Sequence, residues 1–426
     1  MYHLNKKHIT FARHTLLNTY FYIYNMSTYL TRDFWLVSAG NFFLFLSFYA
    51  LLPLLPFYLA EEYGADGAMT GLILGVYMVA LVAIRPVAGY LLDVFSRKPI
   101  YLLAYGAFAI VFGGYTMATT LSLFLLLRIV HGAAFGVSTV CGSTLVSQIV
   151  PANHLGEGLG IYGLANTLSM CLGPMLSMWA YGRYDYSTIF VMLVLVALGG
   201  VVMASMVRIP PREVKASRKL SIDAFVLRNG WWMSLTQCLI YIAYGAAMSY
   251  MAVYASEIGL DGYGGIYFTV MAIGLGAARP LSGKIADRTA TSALRLTRVG
   301  LSLGIATFAL LGVLPFLGAS AGLLLTAAFM QGVTYGILHP TFNTLFVRLA
   351  PATRRGAANS MCQTSNDVGN GIGMFIGSAV ATVFGGYNWL YLLGALCGVC
   401  SLSVFCLWNN GKLMPKFTYS ATKRVF

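Results

Sequence analysis

Long apolar runs separated by short polar gaps repeat along this chain from residue 34 to residue 409. Each run is about 20 residues or more, enough for a helix rising 1.5 Å per residue to cross a hydrocarbon layer ~30 Å thick. The pattern predicts twelve transmembrane helices, over 34–60, 69–93, 100–118, 121–147, 156–182, 187–208, 230–256, 263–287, 296–316, 319–347, 356–384 and 388–409. The most polar interior stretch, RIPPREVKASRKLSIDAFVLRNG, separates the sixth from the seventh and carries Arg208, Arg212, Lys215, Arg218, Lys219 and Arg228. The chain therefore divides into a tail (1–33), a six-helix bundle (34–208), a linker (209–229), a second six-helix bundle (230–409) and a second tail (410–426). Within the linker, SIDAFVL is expected to lie along the membrane surface as a short helix capped by Ser221.

Composition agrees, since 58% hydrophobic residues, 9% charged residues and a mean hydropathy of +0.74 are membrane values. The net charge of +14 admits nucleic acid or anionic lipid as a partner, so its placement decides. With the N-terminus inside, 23 of the 27 basic residues fall on inner tails and loops or at the inner ends of spans, the outer loops hold only Arg183, and Arg85, Arg128 and Arg279 lie deeper within spans. That asymmetry puts both termini in the cytoplasm and explains the charge without nucleic acid. Residues 1–33 lack the apolar core and cleavage site of a signal peptide, and Met26, before STYLTRDFW, is an alternative start. All seven cysteines, Cys141, Cys171, Cys238, Cys362, Cys397, Cys400 and Cys406, fall in predicted spans, which argues against a disulfide framework. The C-x-x-C at Cys397 and Cys400 reads as small membrane-compatible side chains rather than a metal or redox pair. With no metalloprotease, phosphate-loop or nucleophile-elbow motif, the chain is not expected to be an enzyme or to hold a metal.

One short pattern ends the second apolar run and also the eighth. Arg85, Pro86, Gly89 and Asp93 form R-P-x-x-G-x-x-x-D, and Arg279, Pro280, Gly283 and Asp287 repeat it 194 residues later. Gly132, Gly136, Pro151 and Ala152 recur 200 residues on, at Gly332, Gly336, Pro351 and Ala352. Gly156, Asn166 and Gly173 likewise recur at Gly356, Asn366 and Gly373. Two copies of a six-span plan follow, related by a pseudo-two-fold axis.

These residues carry a resemblance. Over about residues 33–410 the chain resembles a twelve-span transporter of the major facilitator superfamily. The family's loop 2–3 motif, G-x-x-x-D-R-x-G-R-K, is met by Gly89, Asp93, Arg97 and Lys98, with Val94 and Ser96 where Arg and Gly are usual. Its second copy keeps Gly283, Asp287 and Arg288 and has Thr291 and Ser292 for the basic pair. Arg128, Gly132 and Gly136 meet the span 4 motif. In span 5 the family's proton-coupled exporters carry G-x8-G-x3-G-P-x2-G, and this chain has Gly160, Ser169, Gly173, Pro174 and Ser177, two glycines having become serine.

The resemblance implies an all-α integral membrane protein of two pseudo-symmetric six-helix bundles working by alternating access. It makes Arg85, Gly89, Asp93, Arg97, Arg279, Gly283, Asp287 and Arg288 a cytoplasmic gate. Asp93 is then expected near the start of span 11, around residues 356–358, and Asp287 near Gly156 at the start of span 5, where unsatisfied backbone N–H groups carry partial positive charge. The span 5 departures leave direction open between export and uptake.

Of the thirteen acidic residues, only Asp367 lies deep in a span, eleven positions past Gly356 and so ~16 Å into the bilayer. A charge there costs at least ~2.5–3.5 kcal/mol unless it faces protein or water, which marks it as functional. Gln363, Asn366, Asp367 and Asn370 fall on one helical stripe. Asp367 is read as a proton or substrate site, with a hydrogen-bonding hub as the alternative. Arg128, ~10 Å into span 4 from the other side, is the natural counter-charge and is tied to proton coupling by the resemblance, with a helix-bracing arginine bonded to backbone carbonyls as the alternative; His131 either shares protons or only hydrogen-bonds. The resemblance adds cavity candidates on the spans that line the family's passage: Asn41 and Tyr49 on span 1, Gln237, Tyr241 and Tyr244 on span 7, and Gln331, Tyr335, His339 and Asn343 on span 10. Tyr181, Tyr184, Tyr186, Trp231, Trp232, Tyr387, Trp389 and Tyr391 read as interfacial belts.

The sequence thus reads as a monomeric, multi-pass cell-membrane transporter that exports a small molecule in exchange for protons, with no other cofactor. Proton-driven uptake of a small polar nutrient is the nearer alternative and a non-transporting sensor the remoter one. An amphipathic drug, a zwitterionic metabolite and a metal-chelating small molecule all suit the candidate cavity.

Overall fold

A computed structural model describes residues 30–65, 67–209, 227–289, 291–351 and 354–409. Twelve long helices dominate: α1 (Arg32–Tyr63), α2 (Gly67–Val94), α3 (Arg97–Thr116), α4 (Leu121–Ile149), α5 (Leu155–Ala180), α6 (Tyr186–Met206), α7 (Trp231–Glu257), α8 (Tyr263–Asp287), α9 (Ser292–Val313), α10 (Ala321–Leu349), α11 (Arg355–Phe384) and α12 (Tyr387–Asn409). Each matches one expected span, with ends displaced by no more than four residues. Residues 1–29, the Met26 start, most of the linker with Ser221, the tail from 410 onward and the Pro174 side chain lie outside the described ones.

The ends are set locally. Thr31, Thr120, Asp185 and Ser320 each accept a backbone N–H of the first turn of α1, α4, α6 and α10 through a side-chain oxygen, satisfying a donor the helix itself leaves free. Gly64 stops α1 at φ 60 and Gly385 stops α11 at φ 78, a left-handed conformation that side chains disfavour. Among the described residues nine of the twelve helices are long and apolar enough to cross a membrane on composition. The other three, α7, α8 and α11, are 27, 25 and 30 residues long, and α11 is diluted by its polar stripe. Exposed Leu103 and Ile110 on α3, Val191, Leu195 and Val202 on α6, and Phe375 on α11 give the outside an apolar surface suited to lipid.

Packing repeats with the sequence. α1 packs on α5, α2 on α4 and α3 on α6; in the second half α7 packs on α11, α8 on α10 and α9 on α12. Each half has its own apolar core, one around Tyr105, Phe108 and Phe135, the other around Tyr254, Tyr267 and Phe342. The bundles are joined chiefly by α2 against α11 and α5 against α8, whereas α1 and α7 are not packed together among the described residues. These joints cluster towards the basic end, where Arg97, Lys98, Arg288, Arg348 and Arg355 lie.

Candidate functional site: the seam between the bundles

Two matched contacts close the basic end. Gly89 of α2 lies so near α11 that a Cβ on it would come within 2.7 Å of Ser360 Cβ, and a Cβ on Gly156 of α5 would come within 2.8 Å of the Gly283 carbonyl of α8. One turn past Gly89 and one turn past Gly283 an aspartate takes the partner helix's N-terminus. Asp93 accepts from the N–H of Gly356 at 2.9 Å and of Ala357 at 3.0 Å. Asp287 accepts from Gly156 at 3.0 Å and Glu157 at 2.9 Å. Both satisfy orphan donors and oppose a helix dipole with a negative charge. Arg348 of α10 also reaches Asp287, at 3.1 Å, and Gln148 stands 200 residues before it. Arg97 is buried and donates to the Leu92 carbonyl at 2.9 Å, while Arg288 is exposed.

Arg85 and Arg279 lie deeper than the gate where the repeat had placed them. Each precedes its aspartate by eight residues, ~12 Å along a helix. Arg85 Nη2 pairs with Asp367 Oδ2 at 2.7 Å, and its Nη1 donates to Gln363 Oε1 at 2.8 Å. Gln363 is held in turn by donating to Ser143 Oγ of α4 at 2.7 Å and the Thr139 carbonyl at 3.2 Å. The Asp367 side chain is 16% exposed against 5% for Arg85, so it is the carboxylate that opens onto the seam. Arg279 makes the pseudo-equivalent reach, from α8 to α5, donating to Thr167 Oγ1 at 2.8 Å and to the Gly163 carbonyl.

Arg128 is therefore not the counter-ion of Asp367. Its guanidinium lies 4.1 Å from the centre of the Tyr77 ring and donates to Tyr115 Oη at 3.5 Å. Tyr77 also packs against Phe48, so Arg128 sits in an aromatic setting of the first bundle. His131 is fully buried among Tyr77, Phe108, Phe112 and Tyr115, with Nδ1 2.8 Å from the Tyr115 hydroxyl. It belongs to the first bundle's core, packed by those rings.

The cavity candidates sort the same way. Tyr49, Tyr244, His339, Gln363, Asn366 and Asn370 are half-buried. Tyr49 donates to Asn166 Oδ1 at 3.2 Å, Tyr241 Oη lies 3.3 Å from His339 Nδ1, and Asn370 donates to Asn366 Oδ1 at 2.8 Å. Asn41, Gln237, Gln331, Tyr335 and Asn343 are buried instead. Asn41 accepts from Tyr162, Gln331 from Tyr267, and Tyr335 donates to the Ile240 carbonyl, all within one bundle. A polar helical face shows that a residue avoids lipid, without telling the seam from a bundle's interior. In span 5, Gly160 lies under the Arg279 carbonyl, Ser169 donates to the Phe42 carbonyl at 2.8 Å, Gly173 touches Tyr49 and Ala50, and Ser177 is buried. That motif packs α5 on α1 and α8. Asn166, Thr167, Tyr77 and Ser143 are site neighbours that the sequence reading missed; Asn166 was already in the repeat, and Thr167 stands where Asp367 stands in the second copy.

Two aspartate-to-helix-end contacts and an ion pair thus join pseudo-symmetric six-helix bundles, the arrangement of a membrane transporter family rather than of an enzyme. The chain belongs to the Major Facilitator Superfamily, whose sequence pattern matches residues 37–317 and 293–420. It is similar to a staphylopine export protein of Staphylococcus aureus, 21% identical over 84% of this chain and 90% of that one. A maltose permease of Geobacillus stearothermophilus is 28% identical over 86% of this chain and 92% of its own. Among solved structures, the human organic anion transporter MFSD10 superposes with a TM-score of 0.74 at 17% identity, over 88% of this chain and 99% of that one, a likeness of fold alone.

Proposed function

We propose that this transporter exports a small molecule in exchange for protons, with Asp367 as the proton carrier and Arg85 as its release partner. The observation that carries the reading is the 2.7 Å ion pair made across the bundle seam at mid-helix depth. A proton on Asp367 removes one of the two charges, and a buried pair broken on one side loses most of its attraction. On the positive-inside rule the basic end is cytoplasmic, so the described state is closed inward. A proton arriving from outside would loosen the seam, allow the Asp93 and Asp287 contacts to part, and leave to the cytoplasm. Solute binding from inside would follow, and re-forming the ion pair would close that end again.

Export is favoured over uptake by the Gly160, Ser169, Gly173, Pro174 and Ser177 motif and by the export named for the Staphylococcus relative. The permease relative keeps proton-driven uptake as the second reading. Dye-reported proton movement in everted vesicles energised to be acid inside tests the choice. Added pools of drugs and metabolites should release protons with wild type and not with Asp367→Asn. Proton release that persists in Asp367→Asn would reject the carrier role, and labelled-solute uptake with the gradient would favour the second reading.

A further inference from the structure

The two arginines that cross the seam are placed alike, yet one meets an acid and the other does not. Asp367 lies eleven residues after Gly356, and what lies eleven residues after Gly156 is Thr167. Arg279 therefore finds a hydroxyl and a carbonyl where Arg85 finds a carboxylate. Arg279 is only 7% exposed, its Nε has no acceptor, and among the described residues no carboxylate is within ion-pairing distance of it. A guanidinium does not give up its proton in a protein, so this charge stays uncompensated. Tyr49, Tyr241, Tyr244 and His339 are within its electrostatic reach, and none brings a fixed negative charge. Arg128 is held by the Tyr77 ring and a hydroxyl, so among the described residues the mid-span guanidinium groups of Arg85, Arg128 and Arg279 share one mid-span carboxylate, Asp367.

Bracing two helices does not require that imbalance. A buried cation without a counter-charge is costly, and the second copy shows that this place in the fold accepts an aspartate. Both bonds of Arg279 also run to the other bundle, so opening the basic end breaks them and bares the guanidinium to the passage.

We propose that the transported solute is an organic anion, whose carboxylate or equivalent acid group takes Arg279 as its counter-ion, in the place that Asp367 fills beside Arg85. Tyr244 and His339 are placed to hydrogen-bond the rest of it. This rests on the transporter reading and narrows it to anions, setting aside cationic drugs and neutral sugars. Exchange of a monoanion outward for a proton inward moves both charges in the same electrical sense, so transport is electrogenic.

The test uses the full chain in lipid nanodiscs and reads its thermal unfolding midpoint. The probes are the anionic, neutral and cationic fractions of a deproteinised small-molecule extract of the cells that make it, with ethidium and tetraphenylphosphonium added to the cationic set. The anionic fraction should raise the midpoint, and methyl esterification of that fraction should abolish the rise. Arg279→Gln should lose the response but also lose a seam contact. Thr167→Asp is the cleaner variant: it supplies Arg279 with the missing carboxylate, so the unliganded midpoint should hold or rise while at least tenfold more of the anionic fraction is needed for the same shift. Stabilisation by the neutral or cationic set but not the anionic one, or a Thr167→Asp response equal to wild type, overturns the proposal while leaving the transporter reading intact. If no fraction shifts the midpoint and none is exchanged in proteoliposomes, the transporter reading fails and the proposal with it.

Discussion

Arg85 of the first bundle holds Asp367 of the second at 2.7 Å. The pair sits where antiparallel α2 and α11 cross, and both depths can be measured from the Asp93–Gly356 contact: eight residues back to Arg85, eleven on to Asp367. At 1.5 Å per residue these are ~12 and ~16 Å, a gap an arginine side chain spans.

Replacing Asp367 with Asn keeps a polar group of the same shape and removes the titration. Asp367→Asn is expected to lower pH-driven transport at least tenfold while leaving solute binding measurable. Initial rates with and without a pH gradient, beside equilibrium binding, separate the two effects.

The gate aspartates each make two hydrogen bonds to backbone N–H groups from a charged acceptor. Such bonds contribute about 1.5–3 kcal/mol, so loss of one gate charge should favour the inward-open form by roughly 10- to 150-fold. Asp93→Asn and Asp287→Asn should each act in this direction, and Arg348→Gln, which removes a further contact to Asp287 at 3.1 Å, should add to the second. Thiol labelling of a cysteine placed on the basic face of α5 reports the opening.

Glycine contacts predict a sharper distinction. A Cβ on Gly89 would come within 2.7 Å of Ser360 Cβ and 3.1 Å of Ala357 Cα, whereas one on Gly106 meets nothing within 4 Å. Gly89→Val should hold the bundles apart and abolish transport with the protein still folded, and Gly106→Ala should transport normally. Equal activity in both would mean that the seam does not close as tightly as described.

His131 is sealed among aromatic rings, so a proton has no route to it through the seam. His131→Phe is expected to leave the pH profile of transport unmoved even if the unfolding midpoint falls. A shift of that profile by about one unit or more would return His131 to the coupling path.

At the opposite end, Tyr181 and Tyr186 donate to Glu61 at 2.7 and 2.8 Å and hold its carboxyl below the ordinary range. A folded value below the unfolded one gives stability that is present above the unfolded value and lost as pH falls through the folded one. The group is exposed, so the effect is small and screened by salt. Glu61→Gln should melt slightly lower than wild type at neutral pH, with the difference vanishing in acid.

Much of this was legible in the sequence because it rests on spacing. Twelve apolar runs gave twelve helices, and the repeated R-P-x-x-G-x-x-x-D located the glycines and aspartates that meet the opposite bundle. Asp367 stood out as the acid with no place in lipid. Its partner did not, because Arg128 and Arg85 are both buried basic residues on nearby helices, and choosing between them needs the crossing point of α2 and α11. Asn41 and Gln331 were misplaced for a related reason. Their polarity excludes lipid, but tertiary packing alone decides whether they face the seam or another helix of the same bundle.

The central claim is that protonation of Asp367 unlocks the bundle seam. The most direct measurement is the distance distribution between spin labels on Glu62→Cys and Ser256→Cys, at the non-basic ends of α1 and α7, with the native cysteines replaced and pH stepped from 8 to 5. These two sites are exposed, one in each bundle. The account predicts that acidification shortens this distance as the basic end opens, and that Asp367→Asn gives the short distance at every pH. A pH response that survives Asp367→Asn unchanged would contradict it.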